Sequence, residues 1–211
     1  MALRLLPRDQ LVKTGDVDHA DWNYDGLLGF VSRQRFRLVI ELLADRSIDT
    51  LLEVGYGSGV FLPELARHAR SVFAADVHPH GADVTRVLDA AGIYATLVEA
   101  PAEKLPFATG TFDAVVAVST FEFVSDAGIA IDEIARVLRP NGCAIVVTPG
   151  ASPLLDFALR VATGEDAKRD FGNRRELVVS TLTSHMKLDR MACFPLPAGF
   201  TVYRALRLVK R

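Results

Sequence analysis

The segment Glu53-Val54-Gly55-Tyr56-Gly57-Ser58-Gly59 closes an aliphatic run, Leu51 to Val54, and opens onto Phe61, Leu62, Leu65 and Ala66 at helical spacing. Glycines at such a strand-to-helix turn let the backbone approach a ligand closely, and the free amides of a helix start attract an anion. A tight turn alone would need the same glycines, so spacing decides. A dinucleotide fingerprint Gly-x-Gly-x-x-Gly begun at Gly55 requires glycine at position 60, where the chain has Val60. A nicotinamide cofactor is therefore disfavoured. Asp76 ends the next aliphatic run, 21 positions after Gly55, where a carboxylate can accept from two ribose hydroxyls. Together the glycines and Asp76 favour an adenosine-containing ligand.

Other chemistry-bearing groups carry less. His78-Pro79-His80 has the look of a metal pair, but only His19, His68 and His185 remain to complete a ligand set, so no metal is expected. Ser58 has Tyr56 and Val60 at the two positions where a nucleophile elbow needs glycines, no His-Glu-x-x-His occurs, and no glycine precedes a Lys-Ser or Lys-Thr as a phosphate loop requires. Arg33, Arg35 and Arg37, with Arg174 and Arg175, offer charge to an anionic substrate, although runs of this kind are usually solvated helix faces. Cys143 and Cys193 lie 50 positions apart with no Cys-x-x-Cys, which excludes a disulfide framework and fits a reducing cytoplasm.

The 211 residues are half hydrophobic and 24% charged, with a net charge of −2. That is one globular domain's worth of chain, and it lacks the basic excess that nucleic-acid binding draws on. Pro140 to Leu155 is the longest stretch without charge, but Asn141, Gly142, Pro149 and Gly150 interrupt it, so no membrane span is expected. Arg4 and Arg8 break up the apolar start, which speaks against a leader peptide.

From Thr50 onward, short aliphatic runs alternate with helical patterns: Leu51 to Val54, Val72 to Ala75, Ala95 to Val98, Ala114 to Val118 and Ala144 to Val147. Continuous apolar runs suit parallel strands covered on both faces. Ile131, Ile134, Ala135 and Leu138 mark an amphipathic crossover helix, with Pro140 and Gly142 as its expected stop. Leu28, Val31, Arg35, Leu38, Val39 and Leu42 mark an earlier helix, and two more are read at about Pro153 to Ala162 and Arg174 to Met186. Met186 to Phe194 and Thr201 to Lys210 read as an antiparallel hairpin, with Arg204 and Arg207 suited to an exposed edge. Residues 1 to 20 show no period and read as a loose arm.

On these motifs the stretch from about Tyr24 to Pro149 resembles the class I S-adenosylmethionine-dependent methyltransferases, specifically the small type 11 group. The motifs run in that family's order: the glycine segment, Asp76, Ala102-Glu103-Lys104-Leu105-Pro106-Phe107, Thr111-Phe112-Asp113-Ala114-Val115-Val116, and Arg136-Val137-Leu138-Arg139-Pro140-Asn141-Gly142. The resemblance implies an α/β, Rossmann-like three-layer sandwich whose seven-stranded, mostly parallel sheet has an antiparallel last strand. It implies S-adenosylmethionine as cofactor, bound by Glu53, Gly55, Tyr56, Gly57 and Gly59, with the backbone at Gly55 and Gly57 facing its methionine part. Asp76 would hold the ribose and Val77 one adenine face, with Ala102 and Glu103 at the adenine edge and Ser119 beside the sulfonium. Two departures stand out. Pro101 replaces an aspartate that accepts from the adenine amino group, and Phe121-Glu122-Phe123 replaces Leu-Glu-His, leaving Glu122 as the candidate base.

These residues predict a methyltransferase acting on an oxygen, nitrogen or carbon of a small molecule, as a cytoplasmic monomer or homodimer without nucleic-acid or membrane partners. A non-catalytic cofactor-binding subunit and, below it, a nicotinamide oxidoreductase are the alternatives. The expected plan is one domain over 1–211: an arm and lid helix (1–45), a cofactor core (50–149), a helical insertion (150–186) and a C-terminal hairpin (187–211). Trp22, Tyr24 and Phe157, the last with Leu154 and Phe171 beside it, are the expected acceptor-pocket walls.

Overall fold

The computed structural model describes residues 2–15, 18–150, 174–195 and 201–210. The aliphatic runs form parallel strands β1 (Thr50–Val54), β2 (Ser71–Asp76), β3 (Ala95–Glu99), β4 (Phe112–Val118) and β5 (Leu138–Pro149). β6 (Lys187–Phe194) and β7 (Tyr203–Val209) pair antiparallel, and β7 also pairs antiparallel with β5. The order across the sheet is β3-β2-β1-β4-β5-β7-β6. Strand order reverses between β1 and β4, and that reversal opens a crevice at the carboxyl ends of the strands where open α/β sheets bind ligands.

Successive strand residues point to opposite faces. On one face Leu51, Val116, Ile145 and Ala205 pack with Val39 and Leu42 of α1 (Gly26–Leu43), Leu62 of α2 (Leu62–Leu65), and Val84 and Leu88 of α3 (Gly81–Ala90). On the other, Leu52, Val115, Val146 and Leu206 pack with Ile131 and Ile134 of α4 (Ala127–Val137) and Val178 and Leu182 of α5 (Arg174–His185). Burial on both sides is why β1, β4 and β5 read as unbroken apolar runs. The expected helix at about Pro153 to Ala162, with Leu154, Phe157 and Phe171, lies outside the described residues. Among the described residues no helix is long and apolar enough to cross a membrane.

Three expectations are corrected. α4 starts where Asp126 caps it by accepting from the Gly128 and Ile129 amides, but it ends at Val137 and passes straight into β5 at Leu138. Pro140 has no amide to donate and pushes the residue before it toward extended backbone, so the break moves upstream of the proline. Pro140, Asn141 (φ 66) and Gly142 then form an irregular start to β5.

The N-terminal segment is not loose. Leu6 is 1% exposed, its amide donates to Val60 O at 3.2 Å, and its carbonyl accepts from the Tyr24 hydroxyl. The Arg4 amide donates to Glu64 Oε2 at 2.6 Å, and Leu3, Leu5, Leu11 and Val12 lie against the same core. An extended segment held mostly through its backbone leaves no periodic side-chain signature. Leu6→Ala is expected to destabilise the protein by about 2–4 kcal/mol, read as a lower midpoint in urea with an unchanged slope.

Arg207 is not at an edge. β7 lies between β5 and β6, and the Arg207 side chain turns onto the α1 face, where it is almost fully buried. Its Nε donates to Asp189 Oδ2 at 2.6 Å, its Nη1 to Leu42 O at 2.9 Å, and its guanidinium pairs with Asp45. The hydrogen bond from Arg207 holds the Asp45 carboxyl below its ordinary range. Arg207→Ala removes all of these and leaves Leu42 O unpartnered, so a loss of about 2–3 kcal/mol of stability is expected. Asp45→Asn, with its carboxylate half-exposed in the native state, is expected to change the melting temperature much less; equal losses would mean that the pair, not the arginine's burial, carries the effect.

Candidate active site

The glycine segment spans the end of β1 and the turn into α2, on the β1 side of the crevice. Gly55, Gly57 and Gly59 all have positive φ, at 78°, 50° and 72°. At Gly55 an added Cβ would lie 2.9 Å from Thr120 Cβ, well inside contact distance, and Thr120 in turn donates to Val54 O at 3.1 Å. At Gly57 the nearest atoms to an added Cβ would be those of the Asp18 carboxylate, at 3.7 to 3.9 Å, ordinary contact distance. So Gly55 is demanded by protein packing, whereas Gly57 borders space that the protein itself does not fill. α2 is a single turn, and the expected anion site at its start is not the dominant feature.

Asp76 ends β2 beside this loop. Its Oδ2 accepts from Gly57 N at 2.8 Å and its Oδ1 from Val77 N at 2.7 Å, so the carboxylate fixes the loop as well as facing the crevice edge. His78 braces the loop through its imidazole. Its Nδ1 accepts from the His80 amide at 3.2 Å, which leaves Nε2 to donate to Gly57 O at 3.0 Å. Gly57 is thus held at both its amide and its carbonyl. Among the described residues no group of three or more His, Cys, Asp and Glu is placed to hold a metal.

Three polar atoms in the glycine segment are buried without a hydrogen-bond partner: Glu53 Oε2, the Tyr56 hydroxyl and Ser58 Oγ. Glu53 is 3% exposed. Burial, reinforced by the Asp76 charge, pushes its carboxyl well above the usual range, with the Arg35 charge acting the other way. Burial, then Asp76 and Glu99, pushes Tyr56 up to about 12. Buried polar atoms normally find partners, and a run of unmet ones along a ligand loop fits a group that brings its own donors and acceptors.

Of the other expected site residues, Val77 is 67% exposed at the end of β2, free to cover a flat ring. Ala102 is buried. Glu103 points its Oε1 at the Ser125 and Asp126 amides, at 3.0 and 3.2 Å, and so ties its loop to the start of α4. Ser119 takes positive φ (53°) where β4 leaves the sheet, a strained backbone of the kind concentrated at functional sites. Glu122 is buried in the turn that follows. Trp22 stacks on His19 at 4.1 Å, while Tyr24 is spent on Leu6 O.

Arg33 and Arg35 correct the solvated-face expectation. Arg33 donates to Asn23 O, and Arg35 turns inward, its Nε buried; only Arg37 of the three is exposed. The sequence signal for this was available in the placing of Arg35 among Val31, Leu38, Val39 and Leu42 on the apolar stripe of α1.

A family described as the methyltransferase domain, of type 11, matches residues 52–146, the stretch that holds the loop, Asp76 and β1 to β5. Among curated proteins, the demethylmenaquinone methyltransferase of Thermus thermophilus is 33% identical over 137 residues, 63% of this chain and 62% of its own. The ubiquinone biosynthesis O-methyltransferase of Azorhizobium caulinodans is 30% identical over 116 residues, 54% of this chain and 46% of its own. The N-methyltransferase NodS of Bradyrhizobium japonicum, solved with S-adenosyl-L-homocysteine, superposes with a TM-score of 0.65 at 18% identity, covering 91% of this chain and 92% of its own. Residues 52–146, a little under half of the chain, are thus similar to the methyltransferase domain family, and the fold is that of the NodS N-methyltransferase. It spans only 26 to 62% of the length of the first curated relatives it matches.

Proposed function

We propose that this protein transfers the methyl group of S-adenosylmethionine to an oxygen, nitrogen or carbon nucleophile of a small molecule. The observation that carries the reading is the glycine loop at the β1 and β4 reversal, with Gly57 held open by Asp76 and His78 and the buried Glu53 oxygen beneath it. The names of the two curated relatives, which concern quinone biosynthesis, support a small-molecule acceptor.

S-adenosylmethionine supplies a methyl already activated by its sulfonium. The protein's part is therefore alignment: an acceptor held in line at about 3 to 3.5 Å gains most of its rate from position and exclusion of water. Gly55, Tyr56, Gly57 and Gly59 form the bed for the amino-acid part, Asp76 takes the ribose, Val77 covers the adenine, and Ala102 shapes its edge. Glu103 is assigned to holding that loop rather than to the base itself. Ser119 and Glu122 stand at the end of β4, where Glu122 would accept a proton from an acceptor hydroxyl or amine. We place the acceptor against the Trp22 and Tyr24 side, with Phe157 as the opposing wall. Two free cysteines, one of them buried, suit a reducing compartment such as the cytoplasm, where we place the protein as a monomer or homodimer.

Calorimetry with S-adenosylhomocysteine, followed by mass-spectrometric detection of its release from S-adenosylmethionine with a panel of phenols, quinols and amines, tests this. Tight binding with turnover is the expected result. Binding without turnover on any acceptor favours a non-catalytic subunit, and absence of binding overturns the cofactor reading.

A further inference from the structure

Arg204, like Arg207, reads from the sequence as an edge residue, and it too lies on the interior strand β7. It stands opposite Thr148 of β5 and Cys193 of β6. Ala205 and Arg207 turn to the α1 face, while Leu206 and Leu208 pack under α4 and α5, so alternation puts Arg204 on the α4 and α5 face. Because β7 runs against β5, Arg204 is at the carboxyl end of the parallel strands, the end that carries the crevice. Its backbone is fixed there: the Val202 amide donates to Phe194 O and the Gly150 amide to Val202 O, both at 2.8 Å.

Four arginines belong to β5, β6 and β7. Arg139 pairs with Asp113 at 2.7 Å, Arg190 with Asp45 at 3.4 Å, and Arg207 with Asp45 and Asp189. The Arg204 guanidinium has neither an ion pair nor a hydrogen bond among the described residues, although the residue is partly covered and its Nε is enclosed. An arginine whose task was to lay its stem on apolar surface would carry its whole head into water. Here the shielding reaches Nε, so part of the head gives up hydration with no protein partner in return.

The distance to the end of β4 fixes the size of what could use this cation. The Ser119 amide donates to Val147 O at 2.8 Å, which places Ser119 beside Thr148. Two strand spacings of about 4.8 Å separate β4 from β7, so the Arg204 backbone stands roughly 10 Å from that of Ser119, and its side chain shortens the gap. Thr148, between them, is buried with its hydroxyl turned to Pro149 O at 3.3 Å.

We propose that Arg204 anchors a carboxylate on the methyl acceptor, which makes the acceptor a compact organic acid whose nucleophilic atom lies away from that carboxylate, toward the end of β4. This rests on the methyl-transfer reading above and narrows its acceptor class. One guanidinium supplies one positive charge and a fork of parallel donors, which match a carboxylate in both respects. A phosphate monoester would bring a second negative charge that a single arginine leaves unmatched.

The test uses the full chain and calorimetry, with and without S-adenosylhomocysteine. Benzoate, phenylacetate, 3-phenylpropanoate and hexanoate are each compared with their primary amides, and phenyl phosphate is added as the other anion. At least one acid is expected to bind about tenfold or more tightly than its amide. Arg204→Met is expected to remove that advantage while changing the affinity for the amide and for S-adenosylhomocysteine by less than about threefold. Arg204→Lys, which keeps the charge but not the fork, is expected to fall between. Acid and amide bound alike by the wild type, no acid bound at all, or phenyl phosphate preferred to every acid overturns the proposal. Equal losses for acid and amide in Arg204→Met also overturn it, by showing that the arginine stem only packs. If Arg204→Met does not fold, Arg204→Lys and Arg204→Gln give the same comparison, where a loss confined to the acids supports the assignment and a uniform one rejects it. A wild-type chain that does not bind S-adenosylhomocysteine defeats the methyl-transfer reading itself, and the acid and amide affinities measured without cofactor still decide the role of Arg204.

Discussion

Asp76→Ala is expected to weaken S-adenosylhomocysteine binding by about 2–4 kcal/mol, from the loss of two charge-assisted hydrogen bonds to the ribose. The structure adds a second route to the same loss. The carboxylate accepts from Gly57 N at 2.8 Å and from Val77 N at 2.7 Å, so its removal also frees the loop that the ligand lies on. Asp76→Asn separates the two contributions. It keeps one carbonyl oxygen for Gly57 N but loses the charge and one acceptor, and it is expected to retain more affinity than the alanine variant. Calorimetry on both variants, with circular dichroism to establish that each is folded, is the measurement. Wild-type affinity in Asp76→Ala would remove the ribose from this end of β2.

Gly57→Val is expected to abolish detectable cofactor binding while the protein still melts cooperatively. Its side chain would enter the space beside Asp18, where the nearest protein atom to a Cβ is 3.7 Å away, so the clash falls on the ligand. The left-handed backbone adds a strain of about 1–2 kcal/mol, too small to unfold a domain of this size. Gly55→Ala gives the contrasting result. Its Cβ would collide with the Thr120 side chain, which bonds back to Val54 O, so stability is expected to fall together with binding. Thermal melts and S-adenosylhomocysteine titrations of the two variants side by side distinguish a glycine kept for the ligand from one kept for the fold. If Gly57→Val unfolds as Gly55→Ala does, the open space at Gly57 has no functional meaning.

What the sequence made legible was whatever repeats or ends sharply. The aliphatic runs of β1, β2, β4 and β5 announce parallel strands because both of their faces are largely buried, whereas β3, at the sheet edge, is only partly covered. Asp76 announces itself as the first charge after an apolar run, and the glycines as a cluster at a strand end. Arg207 was misread because its burial depends on β7 inserting between β5 and β6, a fact about topology that no local window contains. Leu6 is hidden for a related reason: its backbone is held by the Val60 carbonyl and the Tyr24 hydroxyl, both distant in sequence, and such bonds leave no pattern in side-chain types. Arg35 stood in plain view on an apolar stripe, yet its neighbours Arg33 and Arg37 made it look like part of a solvated run. Glu103 could be placed in its loop from the sequence, but the two amides it serves, Ser125 and Asp126, follow the next strand.

The loopless join of α4 to β5 governs where this chain can change length. Val137 ends the helix and Leu138 begins the strand, and β5 is clamped on one side by β4 and on the other by β7. One residue added at that join would swap the two faces of β5, carrying Ala144 and Val146 away from α4 and turning Cys143 and Ile145 toward it. Both neighbouring strands would have to slip with it. An addition at the turn between the exposed Ala108 and Thr109, by contrast, shifts no core side chain and costs at most the local hydrogen bonds to Arg136 and Thr111. Insertions and deletions tolerated over the history of such a chain should therefore collect ahead of β4 and leave the passage into β5 at constant length.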